Sequence, residues 1–120
     1  MKYNIRIQSY ASIGSGHFKM RQDKYKDVNC LTDPVVTEIA AAKGKSAGQV
    51  ILQWHVQRGC IPLAKTTKEE RLLENIAATY DVQLTPEEVK KIDEMDADIR
   101  LYNPKFMGEM ANWNSMPYFE

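Results

Sequence analysis

Two short apolar stretches constrain this chain most: Ile5-Arg6-Ile7-Gln8-Ser9-Tyr10 and Cys60-Ile61-Pro62-Leu63-Ala64. Each reads as a strand, although Pro62 removes a ladder donor and weakens the second. The sequence between them is long and largely helical. Strands joined through a helical crossover pair in parallel, with a right-handed connection. Parallel sheets are covered on both faces, and two strands do not build such a sheet alone. The pattern therefore reads as part of a larger α/β fold.

Helix signals fill the interval and continue beyond it. Thr32-Asp33-Pro34 supplies a capping side chain and a proline in the first turn. Val35, Val36, Ile39 and Ala40 then share a face, and Gly44 ends the helix. Ser46 caps a second helix, lined on one side by Ala47, Val50, Ile51 and Trp54 and widened by Leu52 and Val56. Arg58-Gly59 closes it. A third helix is predicted over residues 68–78. A fourth begins at the capping box Thr85-Pro86-Glu87-Glu88, with Val89, Ile92 and Met95 as a narrow apolar stripe that suits a surface position. Gly14-Ser15-Gly16 reads as a flexible loop, residues 17–31 as a long polar loop, and the chain from Ile99 as an irregular tail. No internal repeat or low-complexity segment is present.

Bulk properties exclude several classes. Sixteen basic residues balance sixteen acidic ones, so no global field draws the chain to nucleic acid or a membrane surface. The 43% apolar share is that of a globular protein. No apolar run reaches the roughly 18 residues of a spanning helix, and residues 1–6 lack the apolar stretch of a signal peptide. Cys30 and Cys60 form no CxxC and have no paired histidines, so neither a metal site nor a disulfide framework is suggested. Reduced thiols in a cytoplasmic protein are expected.

The chemistry concentrates in Lys65-Thr66-Thr67-Lys68-Glu69-Glu70-Arg71-Leu72-Leu73-Glu74-Asn75. On the third helix Arg71, Glu74 and Asn75 fall on one face at i, i+3 and i+4, while Leu72, Leu73 and Ile76 fall opposite and can pack inward. Lys65 and Thr66 precede the helix, where backbone N–H groups and the dipole favour an anion. Lys65 offers a point charge and Arg71 a fork that grips phosphate with two bonds. Glu74 and Asn75 can hydrogen-bond a base. A solvated polar face with an ordinary Glu/Arg pair presents the same residues. After the first strand, Tyr10 offers a ring for stacking. The small residues Ala11, Ser12, Gly14, Ser15 and Gly16 let backbone approach a diphosphate, although a strand tyrosine followed by a glycine turn is also an ordinary structural feature.

These segments resemble the C-terminal part of the aldo-keto reductase family. The resemblance is carried by Gln8-Ser9-Tyr10-Ala11-Ser12-Ile13-Gly14-Ser15, by Asp33-Pro34-Val35-Val36 through Lys45-Ser46-Ala47-Gly48-Gln49-Val50, and by Gln53-Trp54-His55-Val56-Gln57-Arg58-Gly59. Ile61-Pro62-Leu63-Ala64-Lys65-Thr66 and Arg71-Leu72-Leu73-Glu74-Asn75 complete it. It spans about residues 5–103, in order and with family spacing. It implies a (β/α)8 TIM barrel, of which this chain holds about the last two βα units, an extra helix and the C-terminal tail. It also implies NADP(H) as cofactor and a small-molecule carbonyl substrate. The reaction is hydride transfer from the nicotinamide, with the family's tyrosine as proton donor. The family is often monomeric.

By the same resemblance Tyr10 stacks on the nicotinamide. The segment from Ala11 through Ile13 to Ser15 holds the pyrophosphate, Lys65, Thr66 and Arg71 the 2′-phosphate, and Glu74 and Asn75 the adenine. Trp113, with Tyr118 and Phe119, resembles the loop that borders the substrate pocket. Ala64 stands where the family usually has proline, Thr66 where it has serine, and Lys68 where a small or hydroxyl residue is common. Ala11 lacks a hydroxyl often found there, leaving that contact to backbone.

The family's catalytic Asp, Tyr, Lys and His lie on the first four strands, and the groups that hold the carboxamide on the fifth and sixth. A barrel takes about 250 residues, so the expectation is a C-terminal portion without the N-terminal barrel half and inactive by itself. His55, beside Trp54 in a helix, reads as a structural histidine and His17 as a solvated one. Tyr80, Tyr102 and Tyr118 match no catalytic motif. The alternative reading is a truncated, non-catalytic nucleotide-binding or interaction module, whose barrel-facing residues Ile5, Ile7, Ile61 and Leu63 are left exposed.

Overall fold

The computed structural model describes residues 3–14 and 28–98. Two strands, β1 (Ile7–Tyr10) and β2 (Cys60–Leu63), are separated by the helices α1 (Pro34–Lys43) and α2 (Ala47–Gln57); α3 (Glu69–Ala77) and α4 (Pro86–Asp93) follow β2. The strands pair in parallel. Among the described residues this is a mixed α/β arrangement of four helices and a two-stranded parallel sheet, consistent with part of an aldo-keto reductase fold. No helix among them is long and apolar enough to cross a membrane.

The starts of α1, α2 and α4 and the end of α1 follow from local chemistry. Asp33 accepts from the Val35 N–H at 2.9 Å and starts α1. Gly44 ends it at φ 61°, a left-handed conformation that glycine adopts without a steric penalty. Ser46 and Gln49 form a reciprocal capping box at α2, as do Thr85 and Glu88 at α4. The core lies among Val36, Ile39 and Ala40 of α1, Val50 and Ile51 of α2, Val82 and Leu84 of the α3–α4 connection, and Ile92 of α4.

Glutamines of α2 tie it to α3 and to the chain that follows α3. Gln49 donates through Nε2 to the Glu74 carbonyl at 3.3 Å. Gln57 accepts from the Leu84 N–H at 2.9 Å and donates to the Leu84 carbonyl at 3.0 Å. Gln53, between them and buried, donates to Gln57 Oε1 at 3.1 Å. At the far end of α2, Asp93 of α4 accepts from Trp54 Nε1 at 2.9 Å and pairs with Arg58, whose guanidinium stacks over the Trp54 ring.

Two apolar expectations change. Leu72, Leu73 and Ile76 do not pack inward: they are 51%, 63% and 52% exposed. The helix is amphipathic as predicted, but among the described residues no layer covers its apolar face, and no residue of α3 is buried. Ile5, Ile7, Ile61 and Leu63 are exposed as expected, but they do not share one face. The register pairs Ile7 with Cys60, Gln8 with Ile61, Ser9 with Pro62 and Tyr10 with Leu63. Paired residues of a parallel ladder point the same way, and neighbours along a strand alternate. Gln8, Tyr10, Ile61 and Leu63 therefore line one face, and Ile7, Ser9, Cys60 and Pro62 the other.

Candidate nucleotide-binding site

Parallel pairing puts the carboxyl ends of both strands at the same edge of the sheet. The chain leaving β1 turns at once: the Gly14 N–H donates to the Ala11 carbonyl at 2.8 Å. Ala11 takes φ 53° and Gly14 φ 77°. The left-handed region costs a non-glycine residue roughly 1–2 kcal/mol, and such strain collects where backbone must be held for a ligand. At Gly14 a side chain would also be crowded, since a Cβ there would lie 3.1 Å from Cys30 Sγ. The Ile13 side chain, half-buried, packs against the core.

Beside this turn, the chain leaving β2 carries Lys65, exposed, and Thr66, half-buried. Thr66 Oγ1 accepts from the Lys68 N–H at 3.1 Å, folding the backbone into a tight turn that starts α3. Arg71 and Glu74 lie exposed on α3, and Asn75 is half-buried. The helix start is less favourable to an anion than the sequence suggests. Lys68 occupies the cap position without a side-chain hydrogen bond, and Glu69 and Glu70 fill the first turn. Their charge opposes the helix dipole's attraction for an anion, so anion binding here depends on the cations Lys65, Lys68 and Arg71.

Tyr10, 65% exposed, lies on the sheet face shared with Ile61 and Leu63. His55 is structural, as expected: its Nε2 lies 3.0 Å from the Ser12 carbonyl, and its ring meets Trp54 edge-on. Burial lowers the His55 pKa, the Ser12 carbonyl raises it, and Arg58 lowers it further, with a net shift below 6.5. A shallow open hollow between α1 and α4 is lined by Asp33, Val35, Glu38, Lys91, Glu94 and Met95, and none of the residues above borders it.

The profile of the aldo/keto reductase family matches residues 1–97. The chain belongs to the aldo/keto reductase family. An aldo/keto reductase of Synechocystis sp. is 38% identical over 103 residues, which is 86% of this chain and 31% of that protein. Morphine 6-dehydrogenase of Pseudomonas putida is 44% identical over 71 residues, 59% of this chain and 24% of the relative. The NADPH-dependent D-xylose reductase of Meyerozyma guilliermondii is 32% identical over 117 residues, 96% of this chain and 35% of the relative. The chain thus spans about a third or less of the length of the relatives it matches.

Exposed cations, a hydroxyl and a strained backbone turn meet at one sheet edge, with an aromatic ring on the adjoining face. Ser15 of the turn segment and Trp113 of the tail lie outside the described residues, as do His17, Tyr102 and Tyr118. The sequence marks Ser12 only as a small turn residue, whereas it is buried and bonded to both strands. A serine in a small-residue turn carries no signal of that role.

Proposed function

We propose that this chain is the nucleotide-binding part of an NADP(H)-dependent oxidoreductase of the aldo/keto reductase type, which reduces aldehydes or ketones to alcohols. In this reading residues 1–120 are the C-terminal portion of a (β/α)8 barrel, with β1 and β2 as its last two strands. The observation that carries it is the parallel ladder, which delivers the Ala11–Gly14 turn and the Lys65–Thr66 segment to one edge. Phosphate sites in such barrels commonly form on the loops after the last two strands.

Lys65, Thr66 and Arg71 hold the 2′-phosphate, Glu74 and Asn75 the adenine, the backbone from Ala11 through Ile13 to Ser15 the pyrophosphate, and Tyr10 the nicotinamide face. Bound NADPH supplies the hydride for the carbonyl carbon. The tetrad that handles the proton lies on barrel strands outside these motifs, and Trp113 borders the substrate. The NADPH dependence named for the Meyerozyma relative supports the phosphorylated cofactor.

Titration of the full chain with NADPH, followed by nucleotide fluorescence, tests the site. Lys65→Ala and Arg71→Ala each remove a charged contact worth about 1.5–3 kcal/mol, a loss of affinity on the order of 10- to 100-fold. NADH, which lacks the 2′-phosphate, responds far less to either variant. Unchanged NADPH binding in both refutes the assignment.

Exposure of Ile61, Leu63, Leu72, Leu73 and Ile76 favours a second reading, an interaction module without chemistry. Sedimentation separates the two: tight self-association with no affinity for NADPH supports the module.

A further inference from the structure

A side chain within the proposed pyrophosphate turn, that of Ser12, and a histidine outside it, His55, converge on the same stretch of backbone. Ser12 is 7% exposed. Its Oγ donates to the Ser9 carbonyl at 2.6 Å and accepts from the Leu63 N–H at 3.1 Å. The side chain therefore closes the ladder just past the end of β1, where backbone pairing has stopped. The Ser12 carbonyl is engaged from the other side by His55 Nε2 at 3.0 Å. A carbonyl has no proton to give, so Nε2 carries it and Nδ1 is the bare nitrogen of the neutral ring. One residue thus joins β1, β2 and α2.

The position of this junction matters because of its neighbour. Ala11 sits at φ 53°, a conformation that persists only where the surroundings impose it. Ser12, held through its hydroxyl and its carbonyl, supplies that constraint on one side. The Gly14 N–H to Ala11 carbonyl bond, 2.8 Å long, supplies it on the other. Leu63, to which Ser12 is tied, lies two residues before Lys65.

We propose that Ser12 and His55 are positioning residues for the nucleotide: they lock the Ala11–Gly14 backbone to β2, so that the turn and Lys65 meet a ligand as one preformed surface. The inference rests on the nucleotide reading of the site. A surface fixed before binding avoids the ordering cost that a loose turn would impose on affinity.

The test uses the full chain with two readouts, NADPH titration and amide hydrogen exchange at Leu63 and Gly14. Ser12→Ala removes both hydroxyl bonds, and His55→Leu removes the ring donor. Ser12→Thr keeps the hydroxyl, and His55→Gln keeps an N–H donor at similar reach. Ser12→Ala and His55→Leu are expected to weaken NADPH binding about three- to tenfold, the range for one net hydrogen bond. Exchange should quicken at Leu63 in Ser12→Ala and at Gly14 in both variants. Recovery of affinity in either conservative variant supports the role, and the histidine pair serves where the added methyl of Ser12→Thr disturbs folding. Faster exchange with unchanged affinity in Ser12→Ala and His55→Leu, while Lys65→Ala still weakens binding, overturns the positioning role and leaves the nucleotide reading intact. A wild-type chain that does not bind NADPH overturns both.

Discussion

Val36 and Val50 are fully out of solvent where α1 meets α2, whereas α3 buries none of its residues and the sheet exposes Ile7, Ile61 and Leu63. The helical region is closed by apolar packing, by two capping boxes and by the Trp54–Arg58–Asp93 cluster. The region of the strand ends and α3 holds every described residue assigned to the nucleotide. Within it the β1–β2 ladder and the Ser12–Leu63 bond join the two strand ends, and Gln49 reaches from α2 to the Glu74 carbonyl. The packed core and the proposed nucleotide surface thus fall in different parts of the chain. A substitution is expected to affect mainly one or the other.

Truncation in the packed region sharpens that contrast most. Leu52→Ala removes a side chain 2% exposed and is expected to cost about 2–5 kcal/mol in urea unfolding. Gln57→Ala frees both backbone groups of Leu84 and should cost about 1–3 kcal/mol, because each hydrogen bond contributes roughly 0.5–1.5 net. A smaller effect is expected from acid. Burial alone raises the Glu88 carboxyl, yet Lys43 at 2.9 Å, the Thr85 N–H at 2.7 Å and the nearby Lys91 hold its pKa below 4.5. That contribution is complete above the unfolded value and is lost as pH falls through the lower folded one. In thermal melts Glu88→Gln should flatten the acid limb below 4.5.

His55 acts in a higher window with the same sign. Its folded pKa is also lowered, so the unfolded chain binds the extra proton first and stability declines as pH drops below 6.5. Melting temperatures of wild type and His55→Gln should converge as pH falls from 6.5 toward the folded value. The smallest effect is predicted for Leu73→Ala, within about 0.5 kcal/mol, as for other exposed positions. A loss there as large as that of Leu52→Ala would break the comparison, because it would mean that α3 packs against something in solution.

The helix boundaries were legible because their signals are local: Asp33-Pro34, Ser46 with Gln49, and Thr85 with Glu88 each sit within one turn. The parallel pairing followed from the crossover. The core contribution of Ala78, Val82 and Leu84 was not legible, since a short connection has no period to betray which side chains turn inward. Buried glutamines escaped for a related reason. Nothing local marks Gln49 and Gln53 for burial: the partner of Gln49, the Glu74 carbonyl, is 25 residues away, and Gln53 bonds only to Gln57 one turn along its own helix. At the site, the placement of Lys65, Arg71 and Tyr10 came from their positions after a strand or on a helix. Ser12 did not, because its partner Leu63 is 51 residues away in sequence and the hydroxyl looks like any turn serine. The inward expectation for Leu72, Leu73 and Ile76 failed because amphipathicity states which face is apolar, not what stands opposite it.

The paired bonds from Gln57 to Leu84 have a consequence for how this chain tolerates change. An amide that grips the N–H and the carbonyl of one residue recognises main chain and is indifferent to the side chains around it. The exposed positions Tyr80 and Gln83 are therefore open to almost any substitution. A single inserted residue before Leu84 is different: it would hand Gln57 the wrong peptide unit and start α4 out of phase. In that connection, spacing is under tighter control than composition.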